Sequence, residues 1–436
     1  MTDAAFSSTA PQADGMGVTF VGRRGALFAL AFKTGLWTIL TLGFYRFWMK
    51  TRLRRWYWSA IRPGGHPMEY VGDPLEKLLG FFIAVVILTF YIGILNLVLM
   101  FVSFSVFSSA SIGYLASFAG VIPLWFYARY RARRYVLGRT RWRSVRFALE
   151  KGAWGYAWRA VVHWVITILT LGLLWPRMTF SLEKYITDRT YFGSARLEQG
   201  GRWPMLYRAA APFIISIVAL VGGALWVLWF DPVVVSAEIT FDAMKRSAEE
   251  MMDGGAPAVP LSDPQRLLFL PLALAGLLYG AIHYRFVSRR IMANHKSSDG
   301  ITFASRLSGP RVAFIYVLGN FIAYLTLTLG VIGLVLMALF SFGPEVIWGI
   351  ETGDYAPLGD LPRGVATVML VVFYLTVFLM WSVFYNVFVT FPLMRHMAKT
   401  TSLPNRVGLQ YISQRSRDEF AEAEGFAEAL DLGAAI

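Results

Sequence analysis

The sequence predicts an all-α polytopic membrane protein. It would have about six full spans, each of the roughly 20 residues that a bilayer requires, plus two re-entrant or short stems. Small cytoplasmic hairpins would follow the basic helix ends, and eight full spans are the alternative. Three observations lead to this class. Hydrophobic residues make up 56% of the chain and charged residues 16%, whereas soluble proteins carry about a quarter charged residues. Several runs, Leu78–Val106 the clearest, contain no charge over a length sufficient to cross a bilayer. The 41 Lys and Arg, against 27 Asp and Glu, gather in blocks at the ends of those runs, as they do at cytoplasmic loops.

Taken in order, residues 1–19 are small and polar and read as a disordered tail rather than a signal peptide. An apolar stem from Gly25 to Tyr45, interrupted by Lys33, closes in Thr41-Leu42-Gly43. An aromatic cluster and a cationic block follow at once, with Arg46, Lys50, Arg52, Arg54 and Arg55 before Trp56-Tyr57-Trp58. That order suits a segment leaving a bilayer toward an anionic surface. The Gly- and Pro-rich piece Arg62–Gly72 flanks a short Met-Glu-Tyr-Val run and predicts a small β-hairpin. Two uncharged runs, Leu78–Val106 and Ile112–Ala128, then lead to a second basic block beginning at Arg129.

The pattern restarts. Thr170-Leu171-Gly172 closes a second stem, and Thr328-Leu329-Gly330 marks a third copy inside an uncharged run. The recurrence predicts an internal repeat. Its units are 20–138 and 139–299, each a stem plus two spans, and a divergent 300–408, before an acidic tail over 409–436. The first two stems are basic at both ends, so a full crossing would place one basic end outside. Both are therefore expected to enter, turn at Gly43 and Gly172, and return, with the turn facing a wet cavity. Six remaining segments then alternate with both termini cytoplasmic.

The run Thr41-Leu42-Gly43-Phe44-Tyr45-x-x-Trp48-x-Lys50-x-Arg52-x-Arg54-Arg55-x-Tyr57, preceded by Phe20-Val21-Gly22 and followed by Glu69-Tyr70-x-Gly72, resembles the YjgN-like family of bacterial inner-membrane proteins. The second copy matches less well and the third keeps only Thr328-Leu329-Gly330. The resemblance implies a multi-pass protein of the bacterial inner membrane and no particular reaction.

Polar groups within apolar segments are functional candidates. Lys33, Thr34, His163 and Asn320 stand at nearly the same place in the three copies. If the stems converge they form a polar ring able to hold a substrate; the alternative is that Lys33 reaches the surface and His163 bonds a neighbouring helix. Asn96 and Asn386 lie mid-span and are expected to bridge helices. The cationic heads offer Arg52, Arg54, Arg55, Arg131, Arg133 and Arg134 to anionic lipid headgroups, or serve only as topology signals. There is no Cys, and the histidines lack metal-ligand spacing. No metal, cofactor, nucleic-acid partner or enzymatic activity is expected. Two function classes remain. One is a carrier or channel for a small solute or lipid. The other is a non-catalytic protein that organises anionic lipids or docks partners through a basic cytoplasmic face.

Overall fold

The computed structural model describes residues 15–107, 111–227, 268–342 and 363–415. The acidic connection 231–266, the acidic loop 345–362 and the acidic stretch 418–431 lie outside the described residues. The chain is mostly helical and falls into two compact units, Met1–Pro204 with Arg290–Leu307 and Phe314–Ile436, and Met205–Arg289 with Ser308–Ala313.

In the larger unit, helices leave a layer of short strands and come back to it. β1 (Met16–Phe20) leads into α1 (Arg24–Leu40), and α2 (Arg46–Ala60) returns to β2 (Ile61–Pro63). β3 (Met68–Tyr70) leads into α3 (Pro74–Phe90), a π-helical turn at Tyr91–Leu95, α4 (Asn96–Phe107) and α5 (Ser111–Gly138), which returns to β4 (Thr140–Trp142). β5 (Val145–Leu149) leads into α6 (Ala153–Leu169), and α7 (Trp175–Thr187) returns to β6 (Thr190–Phe192). After β7 (Ala195–Arg196) and β8 (Glu198–Gln199) the chain leaves this unit for the smaller one, which holds α8 (Tyr207–Leu225) and most of α9 (Phe269–Ala293), and re-enters the larger unit before β9 (Lys296–Ser298) and β10 (Ile301–Ser305). The last excursion is α10 (Gly309–Phe342), α11 (Arg363–Tyr385), a second π-helical turn at Asn386–Thr390 and α12 (Phe391–Lys399), ending in β11 (Thr401–Asn405).

Each excursion returns to the antiparallel neighbour of the strand it left. β1 pairs β2, β3 pairs β4, β5 pairs β6, β8 pairs β9 and β10 pairs β11. The pairing β1–β11, with Met16 opposite Leu403, brings the two ends of the described chain together. The result is a six-stranded sheet, β2-β1-β11-β10-β9-β8, and a five-stranded sheet, β3-β4-β5-β6-β7. One apolar core joins them: Met16, Ile301 and Leu403 from the first sheet pack with Trp142 and Phe192 from the second.

Three sequence expectations change here. The N-terminal tail ends before Met16, because Met16–Thr19 are already strand paired to β11 and β2. The strands expected in Arg62–Gly72 form, but not as a hairpin with each other: β2 pairs β1 and β3 pairs β4. Pro63 and Pro67 have no N–H to donate to a shared ladder, and Gly64 and Gly65, both at positive φ, turn the chain from one sheet to the other. The third copy, where no turn was expected, has none: α10 runs unbroken through Thr328-Leu329-Gly330. The C-terminal boundary also shifts, since Leu409 and Ile412 pack into the core between the sheets and Arg415 lies over the Tyr191 ring at 4.0 Å.

Among the described residues, four helices are long and apolar enough to cross a membrane: Trp203–Leu225, Phe269–Ala293, Gly309–Met337 and Thr367–Lys399. The uncharged run Leu78–Val106 lies in α3, its π turn and α4, which follow one another without a gap. In the smaller unit, α8 and α9 pack through small residues: a Cβ at Gly280 would come within 2.6 Å of Phe213 Cα, and one at Gly276 within 2.5 Å of the Ser216 hydroxyl. Such close approach is how helices associate in lipid, where apolar burial alone gives no preference for a neighbour.

Candidate functional site

The stems form helical hairpins with matching turns. α1 and α2 run against each other, and Thr38 Oγ1 of α1 lies 3.9 Å from Met49 Sδ of α2. At the turn Leu42 has φ 49° and Gly43 φ 96°; in the second hairpin Leu171 has φ 50° and Gly172 φ 85°. The Gly43 N–H reaches back to Thr38 O at 2.7 Å, and the Gly172 N–H to Thr167 O at 2.7 Å. The Thr41 hydroxyl donates to Trp37 O at 2.8 Å and accepts from the Tyr45 N–H at 2.9 Å. Thr170 makes the corresponding bonds, donating to Ile166 O at 2.9 Å and accepting from the Leu174 N–H at 3.4 Å. The motif thus has a local cause: Thr closes one helix and opens the next, and Gly supplies a φ that other residues reach only at a cost. The correspondence extends to the strands, because Phe20 opposite Ile61 and Leu149 opposite Thr190 stand at the same offset as the turns.

Among the described residues nothing covers the turns, which departs from the expectation that they face a cavity. A Cβ at Gly43 or Gly172 would have nothing within 4 Å, and Leu42 and Leu171 are 69% and 97% exposed. The premise behind that expectation was that irregular backbone at depth needs cover from protein or water. Here the N–H groups of Thr41, Leu42, Gly43, Phe44, Tyr45 and Arg46 all bond within the hairpin, so the turn supplies its own partners.

The rest of the motif around α2 also resolves into packing. Gly22 makes room for the Trp56 ring, which a Cβ would meet at 2.7 Å, and Gly72 for Tyr70, whose hydroxyl it would meet at 2.5 Å. The buried Tyr57 donates to Asn386 O at 3.2 Å. Asn386 opens the π-helical turn, and such turns disturb the regular backbone ladder. The Asn386 side chain itself bonds Ser382 O in its own helix.

The six candidate arginines separate into two groups. Arg54 and Arg134 are buried. Arg54 donates to the Tyr70 hydroxyl at 3.3 Å and lies 5.1 Å from the Tyr70 ring centre. Lys77, also buried, lies 5.1 Å from the same ring and 6.0 Å from that of Tyr135. Nearby, Glu76 accepts from Arg139 at 2.8 Å and from the Tyr135 hydroxyl at 3.0 Å. Arg54 and Lys77 on these aromatic faces tie α2, α3 and α5 together, and the burial of Arg54 and Arg134 corrects their reading as headgroup ligands. By contrast, Arg52, Arg55 and Arg133 are exposed and Arg131 half-exposed. Arg52 lies over Tyr45 at 5.6 Å, and Arg131 over Tyr127 at 5.5 Å, bonding its hydroxyl at 3.0 Å. Arg55 donates to Gly72 O at 2.9 Å. Arg129, absent from the sequence candidates, belongs with them: it is exposed and lies 5.5 Å from the Trp125 ring. Its spacing of one helical turn from Trp125 was the signal available.

The four polar stem residues are not brought together by any hydrogen bond. Thr34 is buried and donates to Leu30 O at 2.7 Å; His163 Nδ1 lies 2.8 Å from Arg159 O; Asn320 donates to Tyr316 O at 2.7 Å. Each bond is within one helix. Lys33 is exposed and has no polar partner among the described residues.

On β6, the Tyr191 hydroxyl donates to Glu150 Oε1 at 2.6 Å. Burial, and then that carboxylate, hold its pKa above the ordinary value.

Residues 16–340 match the family model described as "Bacterial protein of unknown function (DUF898)". The chain belongs to this family. Its matched segment runs from the first residue of β1 into α10 and takes in both helical hairpins. No curated protein and no solved structure matches the chain. Family membership agrees with the YjgN-like resemblance of the motifs.

Proposed function

We propose that the protein is a non-catalytic integral protein of the bacterial inner membrane that holds anionic phospholipid headgroups against its strand layer. The observation that carries this reading is the exposed set of guanidinium groups stacked on aromatic rings where apolar helix surface begins: Arg52 on Tyr45, Arg129 on Trp125 and Arg131 on Tyr127. Trp and Tyr favour the membrane–water interface, and a guanidinium held there presents a fork that matches phosphate. The strand layer is then cytoplasmic under the positive-inside rule, with both termini on that side. Because each excursion returns to the strand next to the one it left, each crosses the bilayer an even number of times. The paired long segments are α3–α4 with α5, α8 with α9, and α10 with α11. The shared backbone of the two hairpins and their flanking strands supports a duplicated unit within the chain. The carrier reading needs Lys33, Thr34, His163 and Asn320 in one cavity, and their bonds within separate helices lend it no support.

The test is lipid retention. Purified full-length protein should carry phosphatidylglycerol or cardiolipin in excess of their share of the membrane. Changing Arg52, Arg55, Arg129, Arg131 and Arg133 together to Gln should reduce that excess several-fold while the protein stays folded, since all five side chains are exposed or half-exposed. Undiminished retention would leave these residues as topology signals.

A further inference from the structure

We propose that the two helical hairpins are one-leaflet wedges. Their tips, Leu42-Gly43-Phe44 and Leu171-Gly172-Leu173, lie among the acyl chains of the leaflet next to the strand layer, and the chain turns back there without reaching the other leaflet. The occupant of the exposed apolar tips is hydrocarbon, and four features of the molecule point to it.

The tips expose apolar side chains to an extent water does not favour. Leu40, Leu42 and Phe44 in one, and Leu169, Leu171 and Leu173 in the other, are all exposed. Leu171 carries its side chain at a positive φ, a backbone state that costs a residue with a Cβ roughly 1–2 kcal/mol, yet it is almost wholly exposed.

Both turns can enter hydrocarbon without leaving donors unpaired. In the first, every N–H from Thr41 to Arg46 has a partner inside the hairpin. In the second, those from Thr170 to Trp175 do likewise, and the next residue, Pro176, has no N–H. Exposed irregular backbone is ordinarily excluded from lipid by its unpaired groups; these turns have none among those donors.

The nearest cations set the depth, and three rulers agree. At the helical rise of 1.5 Å per residue, Arg46 stands about 5 Å from Gly43, and Arg177 about 8 Å from Gly172. Both arginines are exposed. The Phe44 ring packs on Phe82 of α3 at 6.5 Å, and Phe82 lies about 8 Å along that helix from Lys77, after which the run carries no charge to Phe107. Half of the hydrocarbon core is about 15 Å. A tip that reached the midplane would pull Arg46 and Arg177 well below the phosphates, at roughly 2.5–3.5 kcal/mol for each charge at the centre. An insertion of about 5–10 Å, the depth typical of interfacial helices, leaves both arginines at phosphate level.

The hairpins are fixed to elements of the same kind. α1 packs along α11, part of the candidate span Thr367–Lys399, where Gly35 receives the Leu379 side chain. The roots of each hairpin are clamped by an antiparallel strand pair, β1–β2 and β5–β6. Entry and exit are therefore on one side.

The absence of Cys permits a direct test on the full-length protein. A single Cys is placed at Leu42 or Leu171, with His66→Cys in the exposed β2–β3 turn as the aqueous control. Each variant is labelled with an environment-sensitive NBD fluorophore and reconstituted into phosphatidylcholine vesicles, whose headgroups carry no net charge. The result is then independent of whether the arginines bind anionic lipid. Labels at 42 and 171 should be quenched at least about twofold more by lipid carrying a nitroxide at acyl carbon 5 than at carbon 16, and little by iodide. Iodide quenching equal to that at position 66 would place the tips in water and overturn the proposal. Insensitivity to both quenchers would bury them in protein, and stronger quenching from carbon 16 would carry them to the midplane; either refutes a one-leaflet wedge. Leu40→Cys and Leu173→Cys repeat the measurement where the first pair fails to assemble.

Discussion

The hydroxyl of Thr41 is the joint on which the first hairpin turns, and replacing it with Val isolates its contribution. Thr41→Val keeps the branched shape and removes one oxygen. That oxygen accepts from the Tyr45 N–H at 2.9 Å and donates to Trp37 O at 2.8 Å. Trp37 O also accepts from the Thr41 N–H at 3.1 Å, so the carbonyl keeps a partner. The Tyr45 N–H loses the partner it has in the turn. An unsatisfied donor shielded from water costs about 1–3 kcal/mol, whereas one that can turn to water costs far less. In the second hairpin the corresponding bond, Leu174 N–H to Thr170 Oγ1, is 3.4 Å long, beyond the ordinary range of up to about 3.2 Å. Thr170→Val should therefore cost less, about 0.5–1 kcal/mol. Thr41→Ser retains both bonds and should restore most of the loss. The measurement is unfolding of the purified full-length protein in lipid nanodiscs, followed by tryptophan fluorescence. A Thr41→Val protein within about 0.5 kcal/mol of wild type, the range of inert surface changes, would refute the reasoning. So would a larger loss for Thr170→Val.

Two further outcomes follow from the packing. Within α10, a Cβ at Gly319 would come within 2.5 Å of the Phe388 carbonyl in the π-helical turn, whereas one at Gly330 would meet the flexible end of Met380. In the same unfolding assay Gly319→Ala should then destabilise by about 1–3 kcal/mol, while Gly330→Ala stays near or above wild type because Ala favours a helix by about 0.5–1 kcal/mol; equal effects would contradict the packing. Gly17 stands opposite Ser402 in the β1–β11 pair, where antiparallel Cα atoms lie about 4.5–5.5 Å apart, within disulfide reach. The doubly substituted protein, with Cys at both positions, should cross-link on mild oxidation and shift on a non-reducing gel, and a failure to cross-link would argue against closure of the strand layer by its two ends.

Apolar runs, basic blocks and the Thr-Leu-Gly recurrence were legible in the sequence because each acts locally. A run of uncharged residues dictates helix and lipid whatever surrounds it. Thr41 and Gly43 build their turn from bonds no more than five residues long, so the same letters at 170–172 build the same turn. The third copy shows where local reading stops. Thr328-Leu329-Gly330 has the letters, but a long apolar run continues beyond it and the helix does not break. Burial also separated residues that the sequence presents alike. Arg52, Arg54 and Arg55 are near neighbours of one type, yet helical geometry turns Arg54 inward onto Tyr70 and leaves the other two exposed.

The strand layer was the least legible part, and for a physical reason. Its strands are two to five residues long, too short for an alternating pattern to declare itself. Their partners lie across helical excursions of tens of residues, as with Tyr70 and Thr140 or Met16 and Leu403. The sequence by itself determined that the chain belongs in a membrane and where two of its helices turn back. Only the tertiary structure decided which strands pair, because backbone hydrogen bonding has no residue code and register is set by the shared core of Met16, Trp142, Phe192, Ile301 and Leu403.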